Sequence, residues 1–225
     1  MKGLLLQYDD RNPEWAEKLI KRNEKAAKVL NFEHLYLTSG EFDEFPPYWR
    51  KVFLVNKYLE KYDLVVWIDS DAVMINEVEF INIVHLAQEK KKAMVFSSNP
   101  GIFRSDWWIC RLWTAPFCAG VFIVFNTKEG HLIMSQWMKS YNPKLWSLSE
   151  TKNGKKWVGL GSYGGISYEQ GCFEINIFRN ALFLPSLLQL HHTVLNFLPQ
   201  AKETCSTRTV FLHYWSGNRH LIKKF

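Results

Sequence analysis

At 225 residues and 47% hydrophobic, the chain is long enough for one sizeable core, with room for a second lobe rather than a second domain. A net charge of +6 suits an anionic ligand, but no nucleic-acid motif accompanies it, and Lys90-Lys91-Lys92 and the run from Lys152 to Lys156 read as solvated faces. The apolar run of the first ten residues is far too short for a signal peptide or a membrane span. The four cysteines show neither C-x-x-C spacing nor a dense framework, so a soluble protein of a reducing, cytoplasmic setting is expected.

In chain order, Gly3 to Tyr8 reads as a first strand. Asn12-Pro13 caps a helix that carries Trp15, Leu19, Ala26 and Leu30 on one face. Phe32 to Thr38 supplies a second strand, and the loop from Ser39 to Pro47 leads to a helix, Tyr48 to Lys61, with Val52, Val55 and Leu59 inward. This β-α-β-α-β alternation predicts a mostly parallel sheet flanked by helices, in which ligands bind beyond the carboxyl ends of the strands.

The third strand is Val65-Val66-Trp67-Ile68, too apolar to face water on either side, and Asp69-Ser70-Asp71 follows it. If strand alternation continues, Asp69 and Asp71 point to one side while Ser70 points away, so two acids converge on one point. Such a pair repels itself unless a cation sits between, and hard divalent ions such as Mg²⁺ or Mn²⁺ suit it. Tyr8, Asp9 and Asp10 after the first strand fall near the same edge.

Further on, Phe80 to Lys92 reads as a helix and Ala93 to Ser97 as a strand; the aromatic stretch from Asn99 to Pro116, with Trp107, Trp108 and Trp113, is expected to plug a gap between lobes, ahead of the alternative that it stacks on sugar. Cys118 to Asn126 is a buried strand, and Lys128 to Tyr141 a helix. Gly159-x-Gly161-x-x-Gly164 matches the dinucleotide fingerprint only formally, because no strand precedes it, and the segment Asn153 to Gly165 reads as a mobile loop. Tyr168-Glu169-Gln170-Gly171 opens a helical stretch to Arg179, Ala181 to Leu184 reads as a short strand, and Val210 to Trp215 as the last one.

Four of these pieces, in this order, resemble the GT-A nucleotide-sugar glycosyltransferases, above all the metal-dependent galactosyl, xylosyl and mannosyl transferase groups. They are Trp49-Arg50-Lys51 leading into Trp67-Ile68-Asp69-Ser70-Asp71, the strand Ala119-Gly120-Val121-Phe122, the pair Glu169-Gln170, and His213-Tyr214-Trp215-Ser216-Gly217. The resemblance implies a single GT-A domain over residues 1–225, with 1–97 as the nucleotide-sugar-binding half and 98–225 as the acceptor half ending in a donor-capping tail. It implies a Mn²⁺ or Mg²⁺ ion held by Asp71, His213 and Asp69, with Asp69 also able to touch the donor ribose. Glu169 and Gln170 become the catalytic, acceptor-side pair, and retention of anomeric configuration follows by analogy. The chain departs from many relatives in carrying Cys118-Ala119 before the G-V strand, where a polar residue is usual, and Glu169 where Asp is usual.

The residues carry a matching physical logic. A nucleoside-diphosphate leaving group develops charge that a metal and nearby cations can neutralise. Arg219 and Lys223 are expected at the phosphates, Tyr8, Asp9, Lys51 and Ser70 in the donor cleft, and the tail after Val210 as a flap over the donor. The expected partners are a nucleoside-diphosphate sugar, UDP favoured, and a glycan or glycoconjugate acceptor. Taken singly, His213 also fits a satisfied core histidine, Lys51 a solvated helix residue and Arg219 a tail charge. Two other classes compete: a haloacid dehalogenase-type phosphohydrolase with Asp69 as nucleophile, and a non-catalytic carbohydrate-binding module suggested by 10 Trp and 9 Tyr.

Overall fold

The computed structural model describes residues 1–11, 13–40, 42–99, 117–151, 154–162, 164–199 and 205–224, without the side chains at 216, 217, 223 and 224. The cap expected at Asn12, the tryptophans at 107, 108 and 113, and the phosphate contact expected of Lys223 lie outside the described residues and side chains.

Strand β1 (Gly3–Tyr8), buried along its length, leads through a 3-10 turn (Glu14–Ala16) into α1 (Glu17–Leu30). Helix α1 stops where Asn31 takes up the left-handed conformation (φ 55°), which a short polar side chain tolerates, and the chain turns into β2 (Glu33–Leu37). Helix α2 (Pro47–Leu59) starts on a proline at a position where its missing N–H costs nothing, and delivers the chain to β3 (Leu64–Ile68). After β4 (Ala72–Met74), Asn76 caps α3 (Glu77–Glu89) by accepting from the Glu79 N–H, and β5 (Met94–Ser97) follows. Next come β6 (Cys118–Phe125) and α4 (Lys128–Lys139), the latter capped by Thr127.

Beyond them lie the hairpin β7 (Trp146–Thr151) and β8 (Gly154–Gly159) and the short helix α5 (Glu169–Phe173), which runs on into a π-helical turn, Glu174–Phe178. The chain closes with β9 (Leu187–Leu190), a single helical turn α6 (His192–Leu195), β10 (Phe211–His213) and a 3-10 segment, Ser216–Lys224.

The central sheet has six strands in the order β2-β1-β3-β6-β5-β9. The pairs β1–β2, β1–β3 and β5–β9 are parallel, and β6 runs antiparallel to both of its neighbours, so five strands share one direction and the expected mostly parallel sheet is present. Strand β3 lies inside the sheet, and its side chains divide by alternation. Val65 and Trp67 join a cluster with Trp49, Val52 and Trp137 of α2 and α4, while Leu64, Val66 and Ile68 join Ala26, Phe80 and Ile83 of α1 and α3. Helices cover both faces, which is why β3 reads as an unbroken apolar run.

Two expectations are corrected. Residues 154–159 are not loop but the second strand of a hairpin, paired with Trp146–Thr151; its serines, lysines and glycines lack an apolar alternation because the hairpin is largely exposed. The strand placed at Ala181 to Leu184 lies instead at Leu187–Leu190, beside β5, and Leu184–Ser186 forms a 3-10 turn around Pro185, whose ring cannot donate to a ladder. The segment after Asp71 is its own short strand, β4, which pairs antiparallel with β10 away from the main sheet.

Candidate active site

Strand β3 ends at Ile68, and Asp69 to Asp71 form a turn closed by the Ala72 N–H donating to the Asp69 carbonyl at 2.9 Å. The two acids do come together, as the sequence predicts, but across a turn rather than by continued strand alternation. Ser70 turns to the end of β1. It is buried, and its hydroxyl donates to Asp9 Oδ2 at 2.5 Å.

His213 arrives through the β4–β10 ribbon, where it stands opposite Ala72, and the Tyr214 N–H donates to the Asp71 carbonyl at 2.8 Å. Asp71 is almost wholly buried. Its Oδ1 lies 3.2 Å from His213 Nε2, and its Oδ2 accepts from Arg219 Nε at 2.9 Å and Nη2 at 2.8 Å. Burial alone would raise the Asp71 pKa, but the bonds and charges of His213 and Arg219 outweigh it and hold the carboxyl well below the usual carboxylate range.

The other His213 nitrogen, Nδ1, lies 2.9 Å from Asn196 Oδ1, and Asn196 is fixed by donating Nδ2 to Ser97 Oγ at 2.7 Å. Both ring nitrogens thus face acceptor oxygens. Against the effect of burial, the Asp71 carboxylate raises the His213 pKa and favours the imidazolium. One atom each of Asp69, Asp71 and His213 lies within 4.8 Å of the others, and two carboxylates with one imidazole form a donor set that Mn²⁺ or Mg²⁺ accepts. The residues present fit the ion that the sequence implied.

On the other side of Asp69 stands Lys51 of α2, not a solvated helix residue but a buried one. Its Nζ donates to Asp69 Oδ1 at 2.8 Å and to the Ala119 carbonyl at 3.1 Å, and lies 3.7 Å from Glu169 Oε1. Trp67 Nε1 donates to the same Asp69 Oδ1 at 2.7 Å. Glu169, 3% exposed, leaves its Oε2 without a hydrogen-bond partner. Burial is the main cause that pushes the Glu169 pKa up to about 7, with Asp69 adding to it and Lys51 opposing it. Gln170 Oε1 accepts the Ala119 N–H at 2.8 Å, so the start of β6 is held between α5 and Lys51. Gly171 lets α5 press on the glycine turn before it, where a Cβ would stand 2.1 Å from the Gly165 carbonyl oxygen.

At the end of β1, Tyr8 and Asp9 are tied up by arginines to which the sequence analysis gave no part. Buried Arg50 donates to the Tyr8 hydroxyl, to Asp10 Oδ2 and to the carbonyls of Asp43 and Phe45. Arg11 donates to Asp9 Oδ1 from Nε at 2.8 Å and to Oδ2 from Nη2 at 2.7 Å. The structure thus brings together Asp69, Asp71 and His213, ties Lys51 to Asp69 and Glu169, and ties Ser70 to Asp9, while Tyr8 bonds to Arg50 and Arg219 reaches Asp71 from the tail. Arg11, Arg50 and Asn196 are additions; only Arg50, next to Lys51 in a quoted motif, had a sequence signal.

No protein-family model matches the chain, and no curated protein does. Solved structures do. A glycosyltransferase involved in the glycosylation of the major capsid of PBCV-1 superposes with a TM-score of 0.69 at 13% identity, over 100% of this chain and 98% of its own. The chain has the GT-A fold. Galactosyltransferase LgtC, in complex with donor and acceptor sugar analogues, shares this GT-A fold at TM-score 0.52 and 16% identity, over 96% of this chain and 87% of its own. Mouse xyloside xylosyltransferase 1 shares it at 0.51 and 9%, over 97% and 99%. Within the GT-A fold of this chain, no helix among the described residues is long and apolar enough to cross a membrane.

Proposed function

We propose that the chain transfers a hexose or pentose from a nucleoside-diphosphate sugar, UDP favoured, to a hydroxyl of a glycan or glycoconjugate, with retention of anomeric configuration. The observation that carries this reading is the Asp69-Asp71-His213 cluster at the carboxyl end of β3 in a GT-A fold. The galactosyl- and xylosyltransferase neighbours support a hexose or pentose as the transferred sugar. The free thiols of Cys118, Cys172 and Cys205 support a reducing, cytoplasmic setting.

Asp69, Asp71 and His213 would hold Mn²⁺ or Mg²⁺, which supplies positive charge to the diphosphate as the glycosidic bond breaks. Tyr8, Asp9 and Ser70 line the donor side in residues 1–97, and Arg219 brings a cation to the phosphates from the tail of the acceptor half. Lys51 offsets the repulsion between Asp69 and Glu169. Glu169 Oε2, buried and unpartnered, is placed to accept a sugar hydroxyl, and Gln170 holds the start of β6 in register with it. A retaining front-face route needs no strong base.

The test is incubation with a panel of nucleotide sugars and Mn²⁺, with nucleoside diphosphate release and the first-formed product followed by NMR. Release coupled to a product of retained configuration is expected. Inversion would sink the retaining assignment. Phosphate release with an aspartyl-phosphate on Asp69 would replace the transferase by the phosphohydrolase, and sugar binding without any turnover would favour the binding module.

A further inference from the structure

The C-terminal 3-10 segment, Ser216–Lys224, is fastened to the domain at two points. Ile222 is 1% exposed in a small cluster with Leu19, Val73 and Tyr214. Three residues earlier, Arg219 lies over the Trp15 ring, its guanidinium carbon 4.9 Å from the ring centre, and sends both Nε and Nη2 to Asp71 Oδ2. The second oxygen of Asp71 faces His213 Nε2. Both oxygens of this acid therefore already have side-chain partners, and the acid is a member of the Asp69-Asp71-His213 cluster. A divalent ion that reaches Asp71 meets an acid already paired with a guanidinium, whose like charge opposes it.

We propose that Arg219 and a divalent ion are alternative occupants of Asp71, so that metal entry displaces the guanidinium and the diphosphate of the donor takes it up. This rests on the metal site assigned under the proposed function and adds to it a coupling between its two ligands. Ile222 stays buried three residues away, so Arg219 can swing on an anchored segment rather than leave with a free tail. Its planar fork pairs with phosphate oxygens as readily as with a carboxylate. The nucleotide then helps the metal bind in two ways, by direct coordination and by removing the competitor. Metal and nucleoside diphosphate bind cooperatively, and part of that cooperativity belongs to Arg219.

The experiment is Mn²⁺ titration, with free Mn²⁺ read by electron paramagnetic resonance, on the wild type and Arg219→Gln, each with and without UDP. Arg219→Gln should bind Mn²⁺ alone about tenfold more tightly than the wild type, equivalent to ~1.4 kcal/mol, and UDP should tighten Mn²⁺ less in the variant. If the variant binds Mn²⁺ no more tightly while UDP and Mn²⁺ still bind together, the exchange is wrong and the metal site stands. If neither protein binds Mn²⁺ with or without UDP, the metal site itself falls, and the exchange with it. Should Arg219→Gln fail to fold, Trp15→Leu removes the ring under the guanidinium and keeps the arginine. It should move Mn²⁺ affinity in the same direction by a smaller factor, and an unchanged affinity there would also overturn the exchange.

Discussion

Gly120 lies directly against the ring of His213: a Cβ at this position would stand 2.0 Å from Cε1 and 2.5 Å from Nδ1. The glycine is thus not a flexible joint within β6, whose residues are all buried, but the space into which the imidazole fits. Its own carbonyl accepts the Asp69 N–H at 2.8 Å, so one residue positions two members of the cluster. Gly120→Ala should push the ring off Asn196 and Asp71, destabilise the fold by about 1–3 kcal/mol as overpacking does, and weaken Mn²⁺ binding at least about tenfold. Urea denaturation and Mn²⁺ titration check both. Wild-type affinity in a folded Gly120→Ala protein would mean that His213 does not hold the ion.

Lys51 is the counter-charge for two acids. Burial works to lower its pKa, and Asp69 and Glu169 together raise it, so it stays charged. Lys51→Met should cost on the order of 3 kcal/mol, because it strands buried Glu169 and half-buried Asp69 without a cation. Adding Glu169→Gln to that variant should recover part of the loss, and a double-mutant cycle in denaturant reads the coupling. Additive single effects would show that the 3.7 Å Lys51–Glu169 approach contributes nothing.

Glu169 also predicts a pH dependence whose sign can be worked out. Its folded pKa is raised to about 7 from an ordinary value of 4.5, mainly by burial, so between these values the folded chain holds a proton that the unfolded chain has released. Stability should therefore fall as pH rises through this window, with a slope of up to ~1.4 kcal/mol per pH unit from this group. Glu169→Gln should flatten the slope between pH 5 and 7 in thermal melts across that range. A slope unchanged by the substitution would contradict the assigned shift.

How much of this was legible in the sequence depends on where each signal resides. Leu64 to Ile68 declares itself because every residue is buried on both faces, and Asp69 and Asp71 stand out because acids follow such a strand. His213 was legible as a motif, but not its route to Asp71, because the β4–β10 ribbon joins residues some 140 positions apart through three residue pairs. Asn196 acts only through a tertiary contact with His213, and Arg219 is expected at the phosphates from the sequence whereas its bond to Asp71 is set by the tertiary fold alone. Strand β8 falls within the stretch Asn153 to Gly165 that reads as loop, since Lys155 and Lys156 face solvent and leave no apolar period to detect. Phe183-Leu184 looked like a strand because a short apolar run before a proline carries no information on which side of it the ladder forms.

The tail gives a prediction separate from the exchange at Asp71. Ile222→Ser exposes the anchor that joins Leu19, Val73 and Tyr214, and it should free the segment from the domain. Hydrogen exchange over residues 216–224 should speed up, and nucleoside diphosphate should bind more weakly while the bare nucleoside is little affected. Equal losses for both ligands would remove the tail from phosphate binding.

The central claim is that Asp69, Asp71 and His213 hold a divalent ion to which a nucleoside diphosphate binds. The most direct measurement is the melting temperature of the wild type and of Asp71→Asn with UDP, with Mn²⁺, and with both. At about a hundred times its dissociation constant a ligand stabilises by ~2.7 kcal/mol, which for a chain of this size raises the melting temperature by roughly 5–10 °C. The account predicts such a rise for the wild type only when UDP and Mn²⁺ are present together, and none for a folded Asp71→Asn protein. An equal rise with UDP alone, or the same Mn²⁺-dependent rise in Asp71→Asn, would contradict it.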